Sequence, residues 1–342
     1  MRWNVNQLYL RLYKLELLLT REKNPKRRKD IEQDIASLKS LIVYANGKTE
    51  KVDTSIPYSE LDKRFYENLE FLQNQSKKIA EELYPFTTIR RVPSKPFFTR
   101  KIKKRRYYPL VEEFLKDFDM EIYEYYLKLI REERIEVNPR KYLTGFAKGE
   151  TTFFSTSGKP YVSTRFNEKL DIASTLPHEV IHAYQLEGIK NRKLIELKIT
   201  SLFKETYSIF IEYAFFDFLK KTRYKKHGYR EEGCQLDELL AVVDYTVTPL
   251  HVLSESKLKN GMFYTKYGRY TEHYFSLLLS EILALYFFDI YRKDKEKAKK
   301  LLKEFNDMLG VSTDEEILEK FGLSEVINGS TNVLRRYLKE YK

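Results

Sequence analysis

Apolar residues recur at helical spacing along most of this chain, and one stretch departs from that period. Asn4 to Glu22 and Arg27 to Tyr44 are amphipathic and joined by the breaker Lys23-Asn24-Pro25, which predicts a helical hairpin. Tyr58 to Tyr84 predicts a third long helix, with Ser59 and Asp62 near its start. Pro85 to Arg100 holds three prolines and no helical period, so it reads as a connector. It divides the chain into a helical region over 1–90 and a larger region over 91–342. Tyr108 to Arg134 returns to helix. Between Tyr142 and Asn167 the texture changes: Thr151 to Phe154 and Tyr161 to Thr164 read as short strands around Ser157-Gly158-Lys159-Pro160. After Glu168 the pattern is helical almost to the end, with breaks expected near Gly188, Gly228, Gly261, Gly310 and Gly322. The expected fold class is mainly α and multi-helical, with one small β-sheet just before the helix that carries His178.

Composition narrows this picture. The 342 residues are enough for a large core, and 42% hydrophobic with 33% charged residues is a globular balance. Cys234 is the single cysteine, which excludes internal disulfides and cysteine-based metal sites and fits a reducing compartment. Arg2, Arg11, Lys14 and Glu16 interrupt the first twenty residues, so no export signal is expected, and a cytoplasmic location is. Tyr274 to Tyr291 is the most apolar later stretch, but Ser276, Ser280, Glu281 and Asp289 mark it as a buried core helix and not a membrane span. The formal charge of +12 gathers at Lys26 to Lys29, Arg100 to Arg106 and Lys220 to Lys226. No nucleic-acid motif accompanies these clusters, so a solvated lysine-rich surface is the expectation. A non-catalytic basic protein that binds nucleic acid is the competing class.

Chemistry concentrates at His178-Glu179-Val180-Ile181-His182, an H-E-x-x-H motif. Residues four apart share a helix face, so both imidazoles can point at one zinc ion. Zinc takes such nitrogens at about 2.0–2.1 Å and needs a third protein ligand. Glu179 stands beside the metal, where it can take a proton from a water that zinc acidifies to a pKa of roughly 7. A metzincin third ligand is excluded, because Gln185 and Gly188 hold the positions its glycine and histidine would need. A carboxylate on the following helix, Lys204 to Lys220, is the alternative: Glu205, Ser208 and Glu212 share one face among Ile209, Phe210, Ile211, Phe215 and Phe216. A carboxylate in so apolar a helix needs a partner. Zinc is that partner for Glu205, unless it is partly exposed and paired with a lysine. Pro177 directly before His178 places the helix start near Thr175 or bends the helix there.

These two motifs, His178 to His182 and Glu205-Thr206-Tyr207-Ser208-Ile209-Phe210-Ile211-Glu212, together resemble the thimet oligopeptidase and oligoendopeptidase F family of zinc peptidases. The resemblance implies a zincin-like helical peptidase fold, with one zinc per chain on His178, His182 and Glu205. It also implies Glu179 as general base and Glu212 as the residue orienting a ligand imidazole. Lys159 to Asn167 is similar to the family's edge strand, which a peptide substrate can extend by backbone hydrogen bonds. Gly268-Arg269-Tyr270 resembles the segment whose tyrosines stabilise the tetrahedral intermediate. Leu277 stands where a second such tyrosine would be, so the oxyanion donor is Tyr270, His273 or Tyr274. The implied activity is hydrolysis of short, unfolded peptides; a zinc-binding but inactive relative is the variant reading that Leu277 suggests. Oligomeric state leaves no trace in the sequence.

Overall fold

The computed structural model describes residues 58–87, 102–137, 149–154, 159–164, 173–189, 201–250, 257–259, 262–265, 268–308 and 312–340, with scattered positions between 12 and 38. Those early positions are helical except at 22–24. Pro25 opens the second segment, and the Asn24 carboxamide oxygen accepts from the Arg27 backbone N–H at 3.3 Å, so the breaker acts as expected. Then come α1 (Tyr58–Thr87), α2 (Lys104–Phe118) and α3 (Met120–Arg131). The expected single helix over Tyr108 to Arg134 is split at Asp119. Its carboxylate caps α3 by accepting from the backbone N–H groups of Glu121 and Ile122 at 2.8 and 3.3 Å.

Strands β1 (Ile135–Val137), β2 (Gly149–Phe154) and β3 (Lys159–Thr164) form one sheet in the order β1-β3-β2. β3 lies antiparallel to β2, with Thr151 opposite Val162, and parallel to β1, with Ile135 opposite Val162. This corrects the expectation that β3 is an edge strand. Ile135-Glu136-Val137 is too short to announce itself by alternation, and it follows directly on a helix. Glu133, at φ 54°, supplies the left-handed turn that reverses the chain into it.

The helix carrying the histidines is α4 (Thr175–Ile189), followed by α5 (Ser201–Lys220) and α6 (Lys225–Leu250). Pro177 falls in the first turn of α4, where a missing N–H costs nothing, and His178 N–H donates to Ser174 O at 3.1 Å. Gly228 lies inside α6 and does not break it: the break precedes it at 221–224, and a Cβ there would come within 2.5 Å of Phe216 O. A second sheet, β4 (Lys257–Lys259), β5 (Met262–Thr265) and β6 (Gly268–Thr271), interrupts the run expected to be helical. Then follow α7 (Glu272–Lys293), α8 (Lys295–Met308), α9 (Asp314–Phe321) and α10 (Leu323–Glu340). Gly322, at φ 70°, separates the last two as foreseen.

The core is built on α5 and α7. α5 is apolar all round, the mark of a helix enclosed by others. Phe210 meets Tyr291 edge-on at 5.6 Å between centroids, and Tyr213 stacks on Phe288 at 5.4 Å. Leu72, Ile79 and Leu83 of α1 join the same buried cluster. α4 is fixed from three directions. Tyr107 and Tyr125 donate to the carbonyls of Ala173 and Ala183, each at 3.0 Å. Buried Arg134 donates to Glu187 at the end of α4 at 2.8 Å and to Pro160 O of β3 at 3.1 Å. Arg134 also pairs with Glu132 at 3.0 Å, and through its contacts with Glu187 and Pro160 it ties helix and sheet together. Among the described residues, no helix is long and apolar enough to cross a membrane.

Candidate metal centre

His178 and His182 stand one turn apart on α4, and their Nε2 atoms face each other at 3.0 Å. The rings meet edge-on at 78°. From α5, Glu205 brings Oε2 to 3.5 Å from His178 Nε2 and 3.6 Å from His182 Nε2. Ligands at about 2.0–2.1 Å from a tetrahedral zinc lie about 3.3 Å apart. The three atoms therefore have the spacing of three ligands of one ion, and two nitrogens with a carboxylate oxygen are a donor set zinc accepts. Among the described residues this trio is the group of histidine and acidic side chains able to hold a metal.

Each imidazole has a different companion at its other nitrogen. Ser208, one turn beyond Glu205, places Oγ 3.1 Å from His182 Nδ1. Glu212, two turns beyond, places Oε1 3.6 Å from His178 Nδ1. Glu212 is itself held: Ser174 Oγ donates to Oε1 and Gln235 Nε2 to Oε2, each at 3.0 Å. The shared face of Glu205, Ser208 and Glu212 was readable in the sequence; the duty of Ser208 toward His182 was not assigned there. Ser174 and Gln235 carried no sequence signal.

The electrostatics follow this wiring. Burial would push the His178 imidazole down, but the Glu212 charge and the close carboxylates of Glu205 and Glu212 outweigh it and hold it well above its ordinary value. Burial likewise opposes ionisation of Glu205, yet the two imidazoles keep its carboxyl far below the usual range. Glu212 is lowered against its burial by His178, Ser174 and Gln235. Behind it, Glu281 on α7 is pushed up to about 8 by burial and by the Glu212 charge, with Tyr213 donating to its Oε2 at 3.3 Å.

Glu179, between the two histidines in sequence, meets the sheet and is 6% exposed. Thr151 of β2 places its hydroxyl 2.6 Å from Glu179 Oε2 and 3.0 Å from Glu179 O. Gly149 brings the strand backbone so close that a Cβ would fall 2.6 Å from Glu179 Oε1 and 2.6 Å from Thr175 Cγ2. Neither residue was singled out as functional from the sequence. The backbone of Tyr270 lies on β6, opposite Phe263, and His273 is the second residue of α7; the side chains of both, and that of Tyr274, lie outside the described residues. Leu277 packs against the core.

No family model matches the chain, and no curated protein does. Solved structures do. A candidate oligoendopeptidase F from Bacillus anthracis str. Ames superposes with a TM-score of 0.51 at 13% identity, over 92% of this chain and 64% of its own. The fold is similar to that structure's. PZ peptidase A, solved with an inhibitor, matches with a TM-score of 0.52 at 13% identity, over 91% of this chain and 66% of its own. A second candidate oligoendopeptidase F gives 0.51 at 11% identity, over 92% and 65%. The chain spans about two thirds of the length of these structures, and at such identities the likeness speaks for the fold, which agrees with the mainly helical class read from the sequence.

Proposed function

We propose that this protein is a zinc-dependent oligopeptidase-like hydrolase of short, extended peptides. The observation that carries the reading is the His178–His182–Glu205 triangle, with edges of 3.0, 3.5 and 3.6 Å, on two buried helices of a peptidase fold. His178 and His182 hold one zinc per chain through Nε2, and Glu205 holds it through Oε2. Bound zinc supplies a Lewis acid that polarises the scissile carbonyl and acidifies water. Glu179 receives the water's proton at its carboxylate and returns it to the leaving amine. Glu212 and Ser208 keep the imidazoles turned with Nε2 inward. Tyr270 or His273, at the junction of β6 and α7, donates to the carbonyl oxygen as it gains charge. The peptide partner runs along β2 and not β3, because β3 has a strand on each side while, among the described residues, β2 has one neighbour.

Elemental analysis should find one zinc per chain. A quenched-peptide library should be cleaved, cleavage should stop with chelator, and added zinc should restore it. Glu179→Gln should retain zinc and lose turnover by about 10²–10⁴, the range of a general base. A protein without metal that binds nucleic acid with steep salt dependence would move the assignment to the competing class. Near-wild-type turnover in Glu179→Gln would remove the mechanism.

A further inference from the structure

We propose that Thr151 is a positioning residue for Glu179, holding its carboxylate in one orientation. This rests on the reading of Glu179 as the base. Glu179 sits on a flexible stem, and helical geometry alone leaves its carboxylate free to swing. β2 removes that freedom. Strand alternation turns Gly149 and Thr151 to the same face, the one packed on α4. At Gly149 the absence of a side chain lets the strand close on the helix, and two residues on, Thr151 meets the carboxylate. Threonine is stiff at χ1, so its hydroxyl is presented at one place.

The hydroxyl has one proton and two acceptors in reach, Glu179 Oε2 at 2.6 Å and Glu179 O at 3.0 Å. The carbonyl already accepts within the helix, and 2.6 Å is the shorter contact, in the range of a hydroxyl donating to a carboxylate oxygen. Thr151 therefore donates to Oε2. Oε1 lies against the bare backbone of Gly149, so both oxygens meet the strand and the carboxylate plane is set before substrate arrives. Such preorganisation acts on the rate more than on substrate binding.

Two variants separate hydroxyl from shape. Thr151→Val keeps the branched outline without the donor; Thr151→Ser keeps the donor without the methyl. With zinc content and thermal midpoint held, Thr151→Val should lower kcat by about 10–100-fold with KM nearly unchanged, the loss of one charge-assisted hydrogen bond. Thr151→Ser should restore most of that loss. A second readout needs no turnover: calorimetric binding of a peptidyl hydroxamate, whose acidic hydroxyl hands its proton to the base, to the zinc-loaded protein. Affinity should fall about tenfold in the valine variant and recover in the serine variant.

Serine behaving as badly as valine, or valine losing zinc or stability, would make Thr151 a packing residue and overturn the inference. If Glu179→Gln is crippled while Thr151→Val keeps wild-type rate and hydroxamate affinity, the inference falls and the site stands. If Glu179→Gln is silent, both fall.

Discussion

α4 is served by two neighbours of opposite character. On its α5 side, the polar contacts gather at the imidazoles: Glu205 closes the triangle, Ser208 meets His182, and Glu212 with Ser174 and Gln235 backs His178. On its β2 side, Thr151 meets Glu179, and the bare backbone of Gly149 lies against Glu179 and Thr175. One helix thus presents two imidazoles to a helix and a carboxylate to a strand. Holding a cation needs charge and several fixed donors, which a buried helix face provides at three- and four-residue spacing. Holding a carboxylate in one orientation needs close approach, which a strand with a glycine provides. Damage on the two sides should therefore be separable, with metal affinity failing on one and rate on the other.

The strand side should break hardest. Gly149→Ala puts a methyl into Glu179 and Thr175, with separations of 2.6 to 2.7 Å that neither can keep. We expect kcat to fall about 10²-fold, as for a catalytic group displaced by an ångström, while zinc content measured by elemental analysis stays at wild type. On the helix side, Glu212→Gln should weaken zinc binding about tenfold in a chelator competition, the lower part of the range for ligand-orienting partners, since the amide still fills the space. Reversed outcomes, with metal lost in the alanine variant and kept in the glutamine variant, would break the division. The smallest effect concerns Glu281, behind the helix side. Its folded carboxyl, at about 8, stands above its ordinary 4.5, so the folded state holds a proton that the unfolded chain has released. That stability is complete below about pH 4.5 and is lost as pH rises through about 8. Glu281→Gln removes the titrating group, so its thermal midpoint should gain on the wild type as pH climbs across this window. A constant gap between the two curves would count against a raised Glu281.

The two sides also differ in how far they could be read in advance. His178 and His182 are an i, i+4 pair, and Glu205, Ser208 and Glu212 are a helix face; both patterns are local, and an apolar helix turns them toward the interior. The helical hairpin break at Pro25, the strands β2 and β3, and the buried character of α7 were legible for the same reason. The split at Asp119 was missed because an aspartate's capping competes with a continuing apolar period, and the period is the louder signal. β4–β6 were missed because strands of three and four residues are too short to show a clear alternation.

What the sequence determined by itself is the chemistry available: two imidazoles, a carboxylate to complete them, another beside them, and a mainly helical chain to bury them. What only the tertiary structure decided is orientation. β1 takes one side of β3 and makes it, among the described residues, the central strand, and Thr151 reaches Glu179 across 28 residues of chain. Helical spacing is a property of neighbouring residues, whereas strand pairing and the approach of a strand to a helix depend on where distant segments come to rest, and no local period encodes that.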